Sequence, residues 1–180
     1  MELRRSVREF SAEHVTLEHI SQLLWAAQGI TRDGKGRAAP SAGAHYPVEV
    51  YLVAGDVPGL SQGTYHYRPG RHDLEQRTVG DHRAELADAA LQQTWMVDAP
   101  LIIVIAAVFG RTTAEYGDRG NHYVFMEVGS VYQNVHLQTA ALGLGTTVVG
   151  AFDDARVARV LGLPDDQEPL AMMPVGMVGR

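Results

Sequence analysis

The 180-residue sequence predicts an α+β fold in a single domain spanning residues 1–180. Segments with a 3.6-residue apolar period are mixed with short β-branched runs, without the strict alternation of a doubly wound parallel sheet. One run, Leu101–Val108 (LIIVIAAV), is apolar throughout, as a central strand buried on both faces requires. A third stretch, His122–Leu142, keeps helical character for about twenty-one residues before Gly143. No repeat, low-complexity segment or linker divides the chain.

The elements follow in order. Leu17, Ile20, Leu23, Leu24 and Ala27 share one helical face, with Thr16 placed to cap the start and Gly29 to stop it, so a helix of about twelve residues is expected. Residues 30–44 are rich in Gly and Ala and read as a loop. Val48–Ala54 reads as a strand, and Gly63–Tyr67 with Asp73–Arg77 as a hairpin turning at Pro69-Gly70. Asp81–Trp95 reads as a helix with Leu86, Ala89, Ala90 and Gln93 suitably spaced. The long helix carries Gly129, Ser130, Ala140 and Ala141, small residues that let another backbone approach. Gly145–Gly150 reads as a strand, Asp153–Leu161 as a helix capped by Asp153 or Asp154, and Leu170–Val178 as a last strand.

Composition narrows the function. The chain is 46% hydrophobic and 20% charged, with a net charge of −6. No apolar run reaches the roughly 18 residues of a membrane span, and no leader pattern opens the sequence, so a cytoplasmic protein is expected. Cysteine is absent, which removes disulfides, thiolate metal sites and cysteine nucleophiles, so redox chemistry would need a cofactor. The acidic balance argues against nucleic acid. His14, His19, His122 and His136 have no cysteine or acidic cluster to complete a metal site, and no G-x-S-x-G elbow marks a hydrolase.

Three constellations could carry chemistry. Arg4, Arg5 and Arg8 flank Ser6 just before a helix, and forked guanidinium donors beside a hydroxyl suit a phosphate; the alternative is a solvated, frayed terminus. Ala39–Pro47 (APSAGAHYP) brackets small residues with two prolines, as a loop lying against a flat ring requires; an ordinary loop is the alternative. Thr147–Asp153 ends a strand at Gly150-Ala151, where exposed N–H groups could meet a ligand atom.

These segments, their order and their spacing resemble the FMN-dependent nitroreductase superfamily, in particular its SagB-type dehydrogenase branch. The matching text is RRSVREF, APSAGAHYP, GTYHY, LQQTWMVDAP, EYGDRGNHY, VGSVYQNVHLQTAALGLGT, VVGAFDD with VLGLP, and EPLAMMPVG, nearly the whole chain. The resemblance implies a central mixed or antiparallel sheet flanked by helices, and a homodimer joined by long central helices with FMN at the subunit interface. It implies that Arg4, Ser6 and Arg8 hold the phosphate and ribityl chain, with Arg5 supplying mainly backbone. Pro40, Ser41, Ala42 and Gly43 would line the flavin from the partner subunit. Gln93, or Gln92 if the alignment shifts by one, would touch the pyrimidine side of the ring. Backbone at Val149, Gly150 and Ala151 would reach flavin N5 and O4, and Arg180 would complete the phosphate site.

The implied activity is ping-pong hydride transfer from NAD(P)H, by way of flavin N5, to an electron-poor acceptor such as a nitroaromatic or quinone. Two other readings stay open: a dehydrogenase oxidising a peptide or natural product with oxygen as acceptor, and a flavin-binding partner subunit without turnover. One departure bears on the choice. Azoline oxidases of this branch resemble the chain around Glu115–Arg119, but a Lys-Tyr pair is thought to supply their base, and here Glu115 stands at the lysine position. Tyr116, and Glu115 if burial raises its pKa, are the candidate acid–base residues.

Overall fold

The computed structural model describes residues 2–31 and 34–179. Helix α1 spans Leu17–Gln28 and is capped as expected: the Thr16 hydroxyl accepts the His19 N–H and His19 Nδ1 accepts the Thr16 N–H, each at 3.3 Å. Ile20, Leu23, Leu24 and Ala27 are buried, while Leu17, in the first turn, is 43% exposed. The stretch expected as a loop contains a two-rung antiparallel ladder, β1 (Ile30–Thr31) with β2 (Gly36–Arg37), and a 3-10 turn at Ala42–Ala44.

Strand β3 covers Val48–Ala54, and β4 (Gly63–Arg68) and β5 (Asp73–Val79) form the expected hairpin. The helix expected over Asp81–Trp95 is shorter: α2 ends at Ala89 after starting at Arg83, because Leu91 and Gln92 turn left-handed with φ of 57° and 60°. The reversal returns the chain as a 3-10 turn, Thr94–Asp98, that buries Met96 fully and offers the Val97 and Ala99 carbonyls to Arg83. Non-local contacts override helical period here.

Strand β6 (Leu101–Ala107) is followed by α3 (Phe109–Tyr116), which the sequence reading left out. Helix α4 covers Arg119–Ala141, 23 residues. Strand β7 is only Leu144–Thr146, short of the expected Gly145–Gly150, although Val149 makes a separate bridge to Met172. Helix α5 spans Asp154–Leu161, its Asp153 cap accepting the Arg156 N–H at 3.0 Å, and β8 spans Glu168–Met177.

The six long strands form one sheet in the order β5-β4-β3-β6-β8-β7, every neighbour antiparallel. Side chains alternate across it. Leu101, Ile103 and Ile105 of β6 pack with α1 and α4 on one face, and Ile102, Val104 and Ala106 with α2 and α5 on the other. Central strands buried on both faces explain why β6 reads as one apolar run.

The N-terminal segment is tied down. Val7 N–H donates to Thr146 O at 2.9 Å, Ser11 N–H donates to Met177 O at 3.0 Å, and Phe10 bridges Val178. Close packing fixes it further, since a Cβ at Gly145 would lie 2.6 Å from Val7 Cγ1. Residues 6–11 are therefore an ordered edge of the sheet, and the frayed-terminus alternative does not hold for them.

Candidate functional site

The N-terminal segment presents three arginines, Arg4, Arg5 and Arg8. Val7 is buried, while Ser6 and Arg8 are exposed and Arg4 is half-buried. Among the described residues, none of Arg4, Arg5 and Arg8 has a carboxylate within ion-pair distance. Arg4 faces α4, where its charge adds to burial in holding the His136 imidazole below its ordinary pKa. Arg8 lies over the Trp95 ring, 5.8 Å from its centroid. Arg180 lies outside the described residues.

That contact brings a second expected element to the arginines, because Trp95 is two residues from Gln93. The left-handed turn at Leu91-Gln92 leaves Gln92 exposed and Gln93 half-buried, with the Gln93 N–H donating to the Ala87 carbonyl at 3.1 Å. A third element joins through the end of α2: Asp153 N–H donates to Ala89 O at 2.9 Å, docking the Gly150–Asp153 turn beside it. Val149 is pinned to Met172 by two backbone bonds, whereas Gly150 and Ala151 are exposed. Arg8, Gln93 and the Val149–Ala151 strand end thus gather on one side of the sheet's β7 and β8 region.

The loop at Pro40–Gly43 belongs to a different group. Ala42 N–H donates to Glu127 Oε1 at 2.9 Å, and Tyr46 N–H donates to Ser41 Oγ at 2.8 Å. Burial holds Glu127 above the ordinary carboxylate range, although the Ala42 N–H pulls it down. Gly43 has φ of 59°, and a Cβ there would sit 2.7 Å from His45 Nε2 and 2.9 Å from Tyr116 Oη. His45 Nε2 in turn meets Glu115 Oε2 at 2.7 Å. Both acid–base candidates, Glu115 and Tyr116, therefore converge on this loop, with the Tyr116 pKa raised by burial and then by the Glu115 charge. A cavity of about 940 Å³ borders it, lined by Arg37, Pro40, Ser41, Tyr46 and, on α4, Asn134 and Leu137.

No hydrogen bond or ion pair joins the two groups among the described residues. His66 takes no part in either group: it bonds Glu49 at 2.7 Å and stacks on Tyr51.

Sequence reading missed Glu127, Trp95 and the pairing of His45 with Glu115. Glu127 had a signal, since it stands within the buried stripe Val124, Val128, Val131 and Val135 of α4, where a carboxylate is out of pattern. Trp95 and the His45 pairing had none, because they depend on partners 70 or more residues away.

A family model described as the nitroreductase family matches residues 1–177. A Methanocaldococcus jannaschii protein provisionally named a nitroreductase is 46% identical over 173 residues, covering 96% of this chain and 86% of that one. The microcin B17-processing protein of Escherichia coli is 30% identical over 148 residues, 79% of this chain and 54% of its own length. The crystal structure of a provisionally named nitroreductase from Ralstonia eutropha superposes with a TM-score of 0.86 at 30% identity, covering 99% of this chain and 81% of that chain.

Proposed function

Because the chain belongs to the nitroreductase family, we propose that it is an FMN-dependent oxidoreductase that carries hydride from NAD(P)H to an electron-poor acceptor by a ping-pong cycle. The observation that carries the reading is the ordered N-terminal segment, in which Arg8, without a carboxylate partner among the described residues, lies over Trp95 close to Gln93 and the Gly150–Ala151 turn. An anion with several oxygens would compensate those charges.

The residues suit the cofactor. Arg4, Ser6 and Arg8 would hold the phosphate end, and Arg5 would contribute backbone. Gln93 and the exposed amides at Gly150 and Ala151 would face the ring, with Val149 holding that turn in place through Met172. Pro40, Ser41, Ala42 and Gly43 would line the ring through backbone and small side chains. When bound, the flavin would supply two-electron hydride transfer at N5. These two groups lie apart on one protomer, so the reading includes a homodimer in which each chain completes its partner's site.

Proton handling falls to His45, Glu115 and Tyr116. Tyr116 Oη, with its raised pKa, stays protonated near neutrality and can donate a hydrogen bond to an acceptor beside Gly43. The similarity to a peptide-processing protein supports a second reading, oxidation of a peptide or natural product with oxygen as acceptor. Glu115 in place of a lysine, tied to His45, weighs against azoline chemistry.

The test is direct. Purified protein should take up one FMN per chain and show flavin absorbance, and Arg4→Ala or Ser6→Ala should each weaken FMN retention about tenfold, as loss of one hydrogen bond to a charged group would. Protein that binds no FMN would sink the reading. Comparing NAD(P)H oxidation with substrate-driven flavin reduction separates the two activities.

A further inference from the structure

The bend after Pro40 is unusual because it places several residues in the left-handed region at once. Gly43, Ala44 and Tyr46 have φ of 59°, 56° and 48°. For Ala44 and Tyr46 this conformation is costly and persists only where surroundings over-determine it. The surroundings lead to one group. Tyr46 N–H donates to Ser41 Oγ at 2.8 Å within the bend, and the neighbouring Ala42 N–H donates to Glu127 Oε1 at 2.9 Å. The carboxylate is 6% exposed and stands mid-way along the 23-residue α4, a rigid support.

We propose that Glu127 is a positioning residue: its carboxylate, through the Ala42 N–H, fixes the left-handed bend of the Pro40–Tyr46 loop and so sets the shape of the surface this loop offers to a ligand. The donor accounting makes the role specific. Ala42 has spent its N–H on Glu127, and Ser41 Oγ accepts from Tyr46. The Ala42 N–H is therefore not open to a ligand, which would meet that part of the loop through its small side chains. The Glu115 to His45 contact is a second, more exposed tie on the same bend. Its value for flavin binding rests on the function proposed above; the shape of the loop does not.

Two measurements test it. Amide hydrogen exchange on flavin-free protein should show Ala42 and Tyr46 exchanging about tenfold faster in Glu127→Ala, the opening expected when one hydrogen bond to a charged group is lost, while α1 and the rest of α4 are unchanged. Glu127→Gln keeps an acceptor oxygen for the Ala42 amide and should restore most of the protection. An FMN titration should then show the dissociation constant rising about tenfold in Glu127→Ala and much less in Glu127→Gln. Unchanged exchange at Ala42 and Tyr46 in Glu127→Ala overturns the proposal. Exchange that rises equally throughout α1 and α4 also overturns it, making Glu127 a general packing residue. If Glu127→Ala does not fold, Glu127→Asp decides the matter, since the shorter side chain keeps the charge but withdraws from the Ala42 N–H and should speed exchange there; unchanged exchange at Ala42 overturns the proposal. Failure of the wild-type protein to bind FMN would remove the flavin reading and leave the exchange result standing.

Discussion

Gly43 shows how much one residue can carry. Its positive φ excludes a comfortable side chain, and the point where a Cβ would stand lies within 3 Å of both His45 Nε2 and Tyr116 Oη. Gly43→Ala should destabilise the protein by about 1–2 kcal/mol, the cost of left-handed backbone in a residue with a Cβ. It should also push His45 and Tyr116 apart. Urea unfolding, with FMN titration alongside, would register both effects; an unchanged midpoint with unchanged affinity would contradict the crowding. The small residues of the loop and the Glu115-Tyr116 pair were legible in the sequence as separate motifs. Their meeting was not, because residues 43 and 116 are brought together by α3, a short and mostly polar element whose single buried residue is Thr112.

At the scale of elements, docking and ion pairing do what propensity does not. The N-terminal segment lies along β7 because Gly145 lets Val7 approach. Gly145→Val should expel residues 6–11, exposing the bonds after Arg4, Arg5 and Arg8 to trypsin at much lower enzyme ratios while the rest of the chain stays folded. Equal resistance to trypsin would show that the segment is held by other means. On β3, Glu49 gathers His66 at 2.7 Å and Arg111 at 2.6 Å. Burial alone would raise its pKa, but those two partners outweigh it and hold the carboxylate below its ordinary value of 4.5. A depressed carboxylate contributes stability above the unfolded-state pKa and loses it as pH falls through the folded value. Glu49→Gln should therefore cost about 1–3 kcal/mol near pH 7, and the gap to the wild type should close below about pH 4. Thermal unfolding across that range checks the sign.

For the whole molecule, the central observation is that the two candidate groups stand apart on one chain. The exposed stretch of α4 carries Phe125 and Met126, 57% and 60% exposed, beside the small residues Gly129 and Ser130. A second copy packed there is the arrangement proposed to complete each site. Met126→Asp removes little from the isolated protomer, since the side chain is mostly in solvent, but it should yield a monomer in sedimentation velocity that no longer retains FMN. A dimer with full flavin occupancy would place the interface elsewhere. The sequence by itself determined the class of fold, the capped α1, the doubly buried β6, the long α4 and the identity of most candidate residues, because apolar period and capping chemistry are local and each residue carries them in its own neighbourhood. It also placed the arginines, though not the docking that holds their segment against the sheet. Only the tertiary structure decided that residues 6–11 are an edge of the sheet, that the chain breaks left-handed after α2 to bring Trp95 beneath Arg8, and that a buried glutamate holds a loop 85 positions earlier in sequence. Those outcomes rest on which distant surfaces meet, and partner choice between distant segments leaves no period in a sequence.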